Sequence, residues 1–235
     1  MSEEAISVGN KKYCFAIPAY SGDVKLETMT SLLETTGKLS EQHVAWSFLT
    51  IKGNALIDSA RNELTHRFLY ETDADFMVCI DGDVSWKWQD MLRLLAWGNK
   101  YQFACGVYCA RMDPPKFTIN SPHLEQNEYG LVPLEGVGFG FVIISRELLL
   151  KLDVPTYTKK GWALPIKQFF STGVKDGNYY GEDMLFCKMV KEQTGLCIMA
   201  DPVIELKHHG NKDYAYLFKD FLPIMLENQN GISNP

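Results

Sequence analysis

Phe76-Met77-Val78-Cys79-Ile80-Asp81-Gly82-Asp83 decides how this chain is read. Five apolar residues in an unbroken run describe a strand buried on both faces, the kind found at the centre of a parallel sheet. The run then delivers two carboxylates at its C-terminal end. In open α/β sheets, ligands bind just outside the carboxyl ends of the strands. Residues two apart along a strand face the same way, so Asp81 and Asp83 are expected to converge, and Gly82 between them leaves room for a ligand. Two adjacent carboxylates repel each other unless a cation joins them, and oxygen ligands of this kind favour Mg²⁺ or Mn²⁺. The same residues also suit a solvated strand-to-turn junction.

Working outward, the flanking sequence alternates strand and helix patterns. Cys14–Ile17 reads as a buried strand ended by Pro18, Val24–Thr36 as a helix, and Val44–Ile51 as a second strand. Leu56, Ala60, Leu64 and Phe68 recur every fourth residue and predict an amphipathic helix over 56–70. After the apolar strand come a helix at Asp90–Trp97 and a strand at Phe103–Cys109. This order implies an α/β protein with a mostly parallel central sheet and helices on both faces, a Rossmann-like arrangement.

The second half is less regular. Residues 111–135 read as loop, Phe141–Ser145 as a strand and Arg146–Leu152 as a short helix. Residues 153–180 are irregular and rich in lysine, glycine and aromatics. A helix is expected at Asp183–Thr194, short strands at Cys197–Ala200 and Ile204–Leu206, and a helix at Tyr214–Leu226 that Pro223 should kink or end. Without a linker or a repeat, residues 1–235 are expected to form one continuous domain, with 213–235 as a helical tail.

Composition narrows the function. The 235 residues carry 23 basic and 29 acidic side chains, a formal net charge of −6, and 46% are hydrophobic. That composition supports a sizeable core. It argues against a nonspecific nucleic-acid binder, which needs a basic face. The N-terminus opens on acids without a signal-peptide core, and no run approaches the ~20 apolar residues of a membrane span. Six cysteines sit at 14, 79, 105, 109, 187 and 197. Cys105 and Cys109 lack a second Cys/His pair at zinc spacing, so buried thiols in a soluble cytoplasmic protein are expected.

Three further motifs carry polar chemistry. Tyr180-Gly181-Glu182-Asp183 opens a helix, where an acid is either a cap or a functional carboxylate. Leu206-Lys207-His208-His209-Gly210 follows a strand, and one histidine of the pair is either a metal ligand or part of a turn. Asp58-Ser59-Ala60-Arg61-Asn62 starts a helix whose arginine either pairs with phosphate or is a surface charge.

Taken in order, these motifs resemble one family. ALIDSARNELTHRFL followed by ADFMVCIDGDVSW resembles the "ARN helix, apolar strand, DxD" of nucleotide-sugar-dependent glycosyltransferases of the GT-A fold, the family-2-like group. FACGVYCARMDPPK is similar to its next strand, with a lysine at Lys116. EGVGFGFVIISRELL is similar to its glycine-rich strand and Arg-bearing helix. YYGEDMLFCKMVKEQTG is similar to its "ED" helix, and LKHHG to its closing H-x-G. The resemblance spans roughly residues 13–212 and divides the chain into a donor half, about 13–110, and an acceptor half, about 111–212.

The resemblance implies a metal-dependent transfer of a hexosyl or pentosyl group from a nucleoside-diphosphate sugar to a glycan, lipid-linked or protein acceptor, with Mn²⁺ or Mg²⁺ as cofactor. It implies that Pro18, Ala19 and Tyr20 line the nucleotide pocket and that Arg61 faces the nucleotide or diphosphate. Asp81 and Gly82 lie toward ribose and metal, and Asp83 and His208 ligate the metal, with Asp81 as a further ligand. Asp183 is the base in an inverting reaction, and Glu182, Trp162 and Lys116 stand on the acceptor side. Trp162, Phe169, Phe170, Tyr179 and Tyr180 suit either a sugar platform or a secondary core. Two other readings stay open. A haloacid-dehalogenase-type phosphatase also ends an apolar strand in DxD and uses the first aspartate, here Asp81, as nucleophile. A non-catalytic nucleotide-sugar-binding module would keep the fold without turnover.

Overall fold

The structure is a computed structural model that describes residues 8–231; the first seven residues and the end of the expected tail, 232–235, lie outside the described residues. The first half runs β1 (Tyr13–Pro18), α1 (Leu26–Glu41), β2 (Trp46–Ile51), α2 (Ile57–Glu71), β3 (Phe76–Ile80), β4 (Val84–Trp86), α3 (Trp88–Tyr101) and β5 (Phe103–Cys105). The second runs β6 (Ile119–Asn120), β7 (Val132–Leu134), β8 (Gly136–Val137), β9 (Phe141–Ser145), α4 (Arg146–Lys151), β10 (Thr156–Tyr157), β11 (Ile166–Lys167), β12 (Gly173–Lys175), β13 (Asn178–Tyr180), α5 (Glu182–Thr194), β14 (Ile198–Ala200), β15 (Leu206–His209), β16 (Asp213–Tyr214) and α6 (Phe218–Gly231).

The central sheet has seven strands in the order β2-β1-β3-β9-β5-β14-β7. β1 pairs in parallel with β2 and β3, and β14 in parallel with β5. β9 runs antiparallel between β3 and β5, and β7 antiparallel at the far edge. The expected mixed α/β architecture with most strands in one direction is therefore present. The interruption by β9 was not expected: a strand from the second half is threaded into the middle of the first. Its five residues are all buried, as a central strand requires.

The apolar run at β3 divides by parity. Phe76, Val78 and Ile80 join the core on one face with Phe15, Leu94 and Ile143. Met77 and Cys79 join the other with Leu64, Phe68 and Phe103. The strand stops at Ile80, and the Val84 amide donates to the Asp81 carbonyl (3.2 Å), closing a turn before β4 begins. That turn breaks the period of two. Asp81 keeps the α2 face of Met77 and Cys79, but Asp83 is carried round toward β15, so the two carboxylates do not simply converge as the strand reading expects.

Several boundaries move for local reasons. β4 was missed because three residues carry no period; it pairs with β15 in a separate three-stranded sheet, β16-β15-β4. Residues 206–209 are therefore strand rather than a turn after one. The expected strand at 103–109 ends at Cys105, and the segment 153–180 contains two short hairpins, β10–β11 and β12–β13. α6 begins at Phe218, not Tyr214, and Pro223 lies inside it without ending it. Arg146, expected on the acceptor side, instead closes α2. Its guanidinium donates to the carbonyls of Phe68, Leu69, Thr72 and Ala74, at 2.7–3.0 Å. All six cysteines are free and five are buried. Among the described residues, no helix is long and apolar enough to cross a membrane.

Candidate active site

A cleft of roughly 350 Å³ opens at the carboxyl end of β3, lined among others by Pro18, Arg61, Asp81, Asp83, Asp183 and His208. Five separate elements deliver these groups: β1, α2, the turn after β3, α5 and β15.

α2 supplies Arg61. Successive helical residues point ~100° apart, so Arg61 and Asn62 serve different neighbours. Asn62 holds the Phe170 backbone at both ends, accepting from its amide (2.8 Å) and donating to its carbonyl (2.7 Å). Arg61 turns into the cleft floor. Its guanidinium donates to Asp81 Oδ1 (2.9 Å), Glu182 Oε1 (3.2 Å) and the Phe139 carbonyl (3.3 Å). Burial opposes its charge, but Asp81 and Glu182 outweigh that and hold it protonated above its ordinary value. Three of its five N–H groups are spent on the protein, so Arg61 has a structural role in the cleft lining.

Asp81 is engaged on both oxygens. Oδ1 takes Arg61, and Oδ2 accepts from the Tyr108 hydroxyl at 3.2 Å. Burial, reinforced by Asp81, drives the Tyr108 phenol well above its usual range, so it stays a donor. The arrangement depends on Gly140: a Cβ there would lie 2.7 Å from the Tyr108 ring and 2.8 Å from Asp81 Oδ2. Asp81 is thus held in the cleft floor by a fixed partner on each oxygen. Gly82 is roomier, since a Cβ there would meet only ordinary contacts at 3.7 Å.

Asp83 and His208 face each other across the rim. His208 Nδ1 lies 2.9 Å from the Cys109 carbonyl, which can only accept, so Nδ1 carries the proton and Nε2 presents a lone pair. Burial pushes His208 below its ordinary value, which favours this neutral form. Nε2 sits 3.5 Å from Asp83 Oδ1. A lone pair aimed at a carboxylate oxygen is repulsive unless a cation joins them. Asp83 and His208 are thus two groups whose chemistry suits a divalent ion. Among the described residues, no group of three or more His, Cys, Asp or Glu gathers to hold a metal by protein atoms alone. The other oxygen of Asp83 is taken by Arg111.

His209 is committed elsewhere. Its ring bridges Ser85 Oγ (2.7 Å) and Asp213 Oδ1 (2.8 Å), and its amide donates to the Asp83 carbonyl (2.8 Å). It ties β15 to β4 and β16, and so sets the register that brings His208 to Asp83.

α5 supplies the remaining carboxylates. Gly181, not an acid, is the N-cap residue and makes no side-chain cap. Asp183 Oδ1 accepts from the adjacent Met184 amide (2.7 Å). Burial, then the neighbouring Glu182 charge, raises its proton affinity above the ordinary aspartate value. The helix dipole was expected to lower it; desolvation wins. Glu182 lines the cleft and pairs with Arg61.

The remaining expectations divide. Pro18 lines the cleft, whereas Ala19 is buried against β2 through its amide (2.8 Å to the Ile51 carbonyl) and Tyr20 is 66% exposed. Phe169 and Phe170 are core residues, and Phe170 stacks on Phe186 at 4.6 Å. Trp162 packs edge-on against His66 of α2 (4.9 Å). Lys116 is exposed and outside the cleft lining; Arg111, also outside the lining, reaches the site through its ion pair with Asp83, and Tyr108 lines the cleft, and neither was expected. Both lie in CGVYCAR, between the end of β5 and Lys116, where Arg111 is the one basic residue before the lysine.

Comparison with solved structures bears on the fold. The crystal structure of A197 from STIV matches with a TM-score of 0.58 and 18% identity, over 88% of this chain and 91% of that one. The crystal structure of GalNAc-T7 with UDP, GalNAc and Mn²⁺ matches with a TM-score of 0.51 and 11% identity, over 85% of this chain and 44% of that one. The fold is shared with a glycosyltransferase. The chain spans less than half of that larger protein. S. aureus TarS also aligns, over 87% of this chain and 36% of its own at 13% identity, with a TM-score of 0.45. No family model matches the sequence, and no curated protein matches it.

Proposed function

We propose that this chain is a glycosyltransferase that moves a sugar from a nucleoside-diphosphate donor to an acceptor hydroxyl, with a donor half at about 13–110 and an acceptor half at about 111–212. The observation that carries the reading is the rim of the cleft. Asp83, the neutral Nε2 of His208 and the buried carboxylate of Asp183 face one space. The fold around them is shared with a structure solved with UDP, GalNAc and Mn²⁺.

Electrostatics supports the same reading. Asp81, Asp83, Glu182 and Asp183 set four carboxylates against the Arg61 guanidinium in the cleft lining. A diphosphate cannot enter so acidic a space without cations. Asp83 and His208 are the residues that would hold Mn²⁺ or Mg²⁺, and the ion, when bound, supplies Lewis-acid stabilisation of the leaving diphosphate. Asp183 does the proton chemistry. With its affinity for a proton raised by burial, its carboxylate accepts the acceptor hydroxyl proton as that oxygen attacks the anomeric carbon. A single base on the attacking side corresponds to inversion at that carbon. The floor residues Arg61, Asp81, Glu182 and Tyr108 hold the two carboxylate-bearing segments, 81–83 and 182–183, at a fixed separation.

Asp81 as a phosphatase nucleophile is disfavoured by its surroundings, because Arg61 and Tyr108 occupy both of its oxygens. A melting-point screen tests the proposal. UDP, GDP, CDP, ADP and dTDP sugars are added with Mn²⁺ or with chelator, and released nucleoside diphosphate is measured in parallel. One donor should raise the melting point by a few degrees only with metal and should be slowly hydrolysed. Equal stabilisation in chelator, or no response to any donor, overturns the proposal.

A further inference from the structure

The floor arginine is largely committed to the protein, with three of its five N–H groups engaged. Arg61 is 6% exposed and its guanidinium is held by two carboxylates and a carbonyl. The other guanidinium at the site belongs to Arg111, and its situation is the opposite. Its side chain is 42% exposed and its ion pair is with Asp83, at the rim.

The loop that carries Arg111 is built to present it there. Cys109 and Phe117 pair across the base of the loop, and the Ala110 amide donates to the Lys116 carbonyl (2.8 Å). Asp113 ties the tip to the β15–β16 segment, pairing with Lys212 and accepting from the Tyr216 hydroxyl (2.8 Å). The Arg111 stem then passes over Gly210, where a Cβ would lie 2.9 Å from its Cδ. The backbone is anchored on both sides while the guanidinium stays partly exposed on Asp83.

Asp83 is therefore claimed twice. One oxygen takes Arg111 and the other faces His208. A divalent ion lodged between Asp83 and His208 would sit beside the guanidinium, and like charges at that range repel. A diphosphate arriving with the ion resolves the conflict, because its oxygens offer the guanidinium a bidentate partner.

We propose that Arg111 is the diphosphate-binding cation of the cleft, held on Asp83 while the cleft is empty and transferred to the donor's phosphates when metal and nucleotide bind. This inference rests on the glycosyltransferase reading. It implies that metal and nucleoside diphosphate bind cooperatively, since each relieves a cost the other would face alone.

Titration calorimetry and Mn²⁺ electron paramagnetic resonance on the whole chain test it, with Mn²⁺ alone and then with UDP, GDP, CDP, ADP and dTDP in turn. In the unaltered protein, the best nucleotide should tighten Mn²⁺ binding by about fivefold or more. In Arg111→Gln, Mn²⁺ alone should bind severalfold tighter, because Asp83 is released, while the nucleotide's enhancement should shrink toward unity. Gly210→Ala keeps the arginine but crowds its stem. It should shift binding of Mn²⁺ alone in the same direction, which keeps the test decisive if Arg111→Gln folds poorly. Arg111→Lys should restore part of the coupling. If the unaltered protein binds metal and nucleotide cooperatively and both variants do the same, Arg111 is a surface ion pair and only this inference falls. If the unaltered protein binds none of the nucleotides with metal, this inference and the glycosyltransferase reading fall together.

Discussion

The floor and the rim of the cleft are built from the same three pairs of residues, and the difference between them is instructive. Asp81 and Asp83 lie two apart, Glu182 and Asp183 are adjacent, and so are His208 and His209. One member of each pair is consumed by the scaffold: Asp81 by Arg61 and Tyr108, Glu182 by Arg61, His209 by Ser85 and Asp213. The other member of each, Asp83, Asp183 and His208, faces the open cleft. The floor groups are held by fixed protein partners, so they position the site. The rim groups keep an unspent lone pair, a raised proton affinity or an exchangeable partner, which is what chemistry needs.

The largest expected effect tests the rim. Asp183→Asn should cut transfer by ~10²–10⁴-fold, with donor affinity and melting point nearly unchanged, because the amide oxygen still accepts from Met184. Assay and calorimetry on one preparation check this. The same carboxylate sets the acid limb of the rate profile. Its folded-state proton affinity is raised, so the base form is lost as pH falls through a value above the ordinary aspartate range. Transfer should therefore fail at a higher pH than an exposed aspartate would allow. A limb near pH 4 would move the base elsewhere.

Asp81→Asn and Asp83→Asn sharpen the contrast within one motif. The first leaves a buried guanidinium short of a counter-charge and should cost roughly 2–4 kcal/mol of stability, read by urea denaturation. The second should leave stability close to the parent and remove metal-dependent nucleotide binding. If the two variants lose the same property, floor and rim are not distinct.

The histidines give a smaller version of the same test. His209→Ala strands Ser85 and unties β15 from β16, at roughly 1–3 kcal/mol. His208→Ala should lower metal affinity with a change in melting point under half as large. Equal melting points would break the assignment.

The smallest effect lies outside the cleft. Burial raises Asp90, in the first turn of α3, to about 6, and one of its oxygens has no partner in the protein. A carboxyl with a raised folded-state pKa costs stability where it must ionise, above pH 6, and the cost fades as pH falls toward its unfolded value. Asp90→Asn should therefore stabilise the protein by roughly 1–2 kcal/mol at pH 8 and by little at pH 4. A gain independent of pH would point to packing instead.

The alternation of apolar strands and amphipathic helices was legible without coordinates because burial on a sheet or helix face imposes a period. On that basis β1, β2, β3, α2 and α5 fall within a few residues of their expected bounds. The motifs also named the right neighbourhoods: 81–83, 182–183 and His208 line one cleft, while His209 braces β15 behind it. The insertion of β9 between β3 and β5, the short β4 and the division of labour within each pair were not legible. Strand order depends on contacts between residues more than sixty positions apart, such as Phe76 with Ser145. Arg111 and Tyr108 escaped for the same reason. Nothing near them in sequence says that Gly140 and Gly210 will leave the space they fill. Sequence by itself determined which chemical groups this protein brings and that they cluster at strand and helix ends, since local periodicity and termini are local physics. Tertiary structure alone decided which of those groups are neutralised by a buried partner and which remain free, because that depends on what long-range packing places within 3 Å of each.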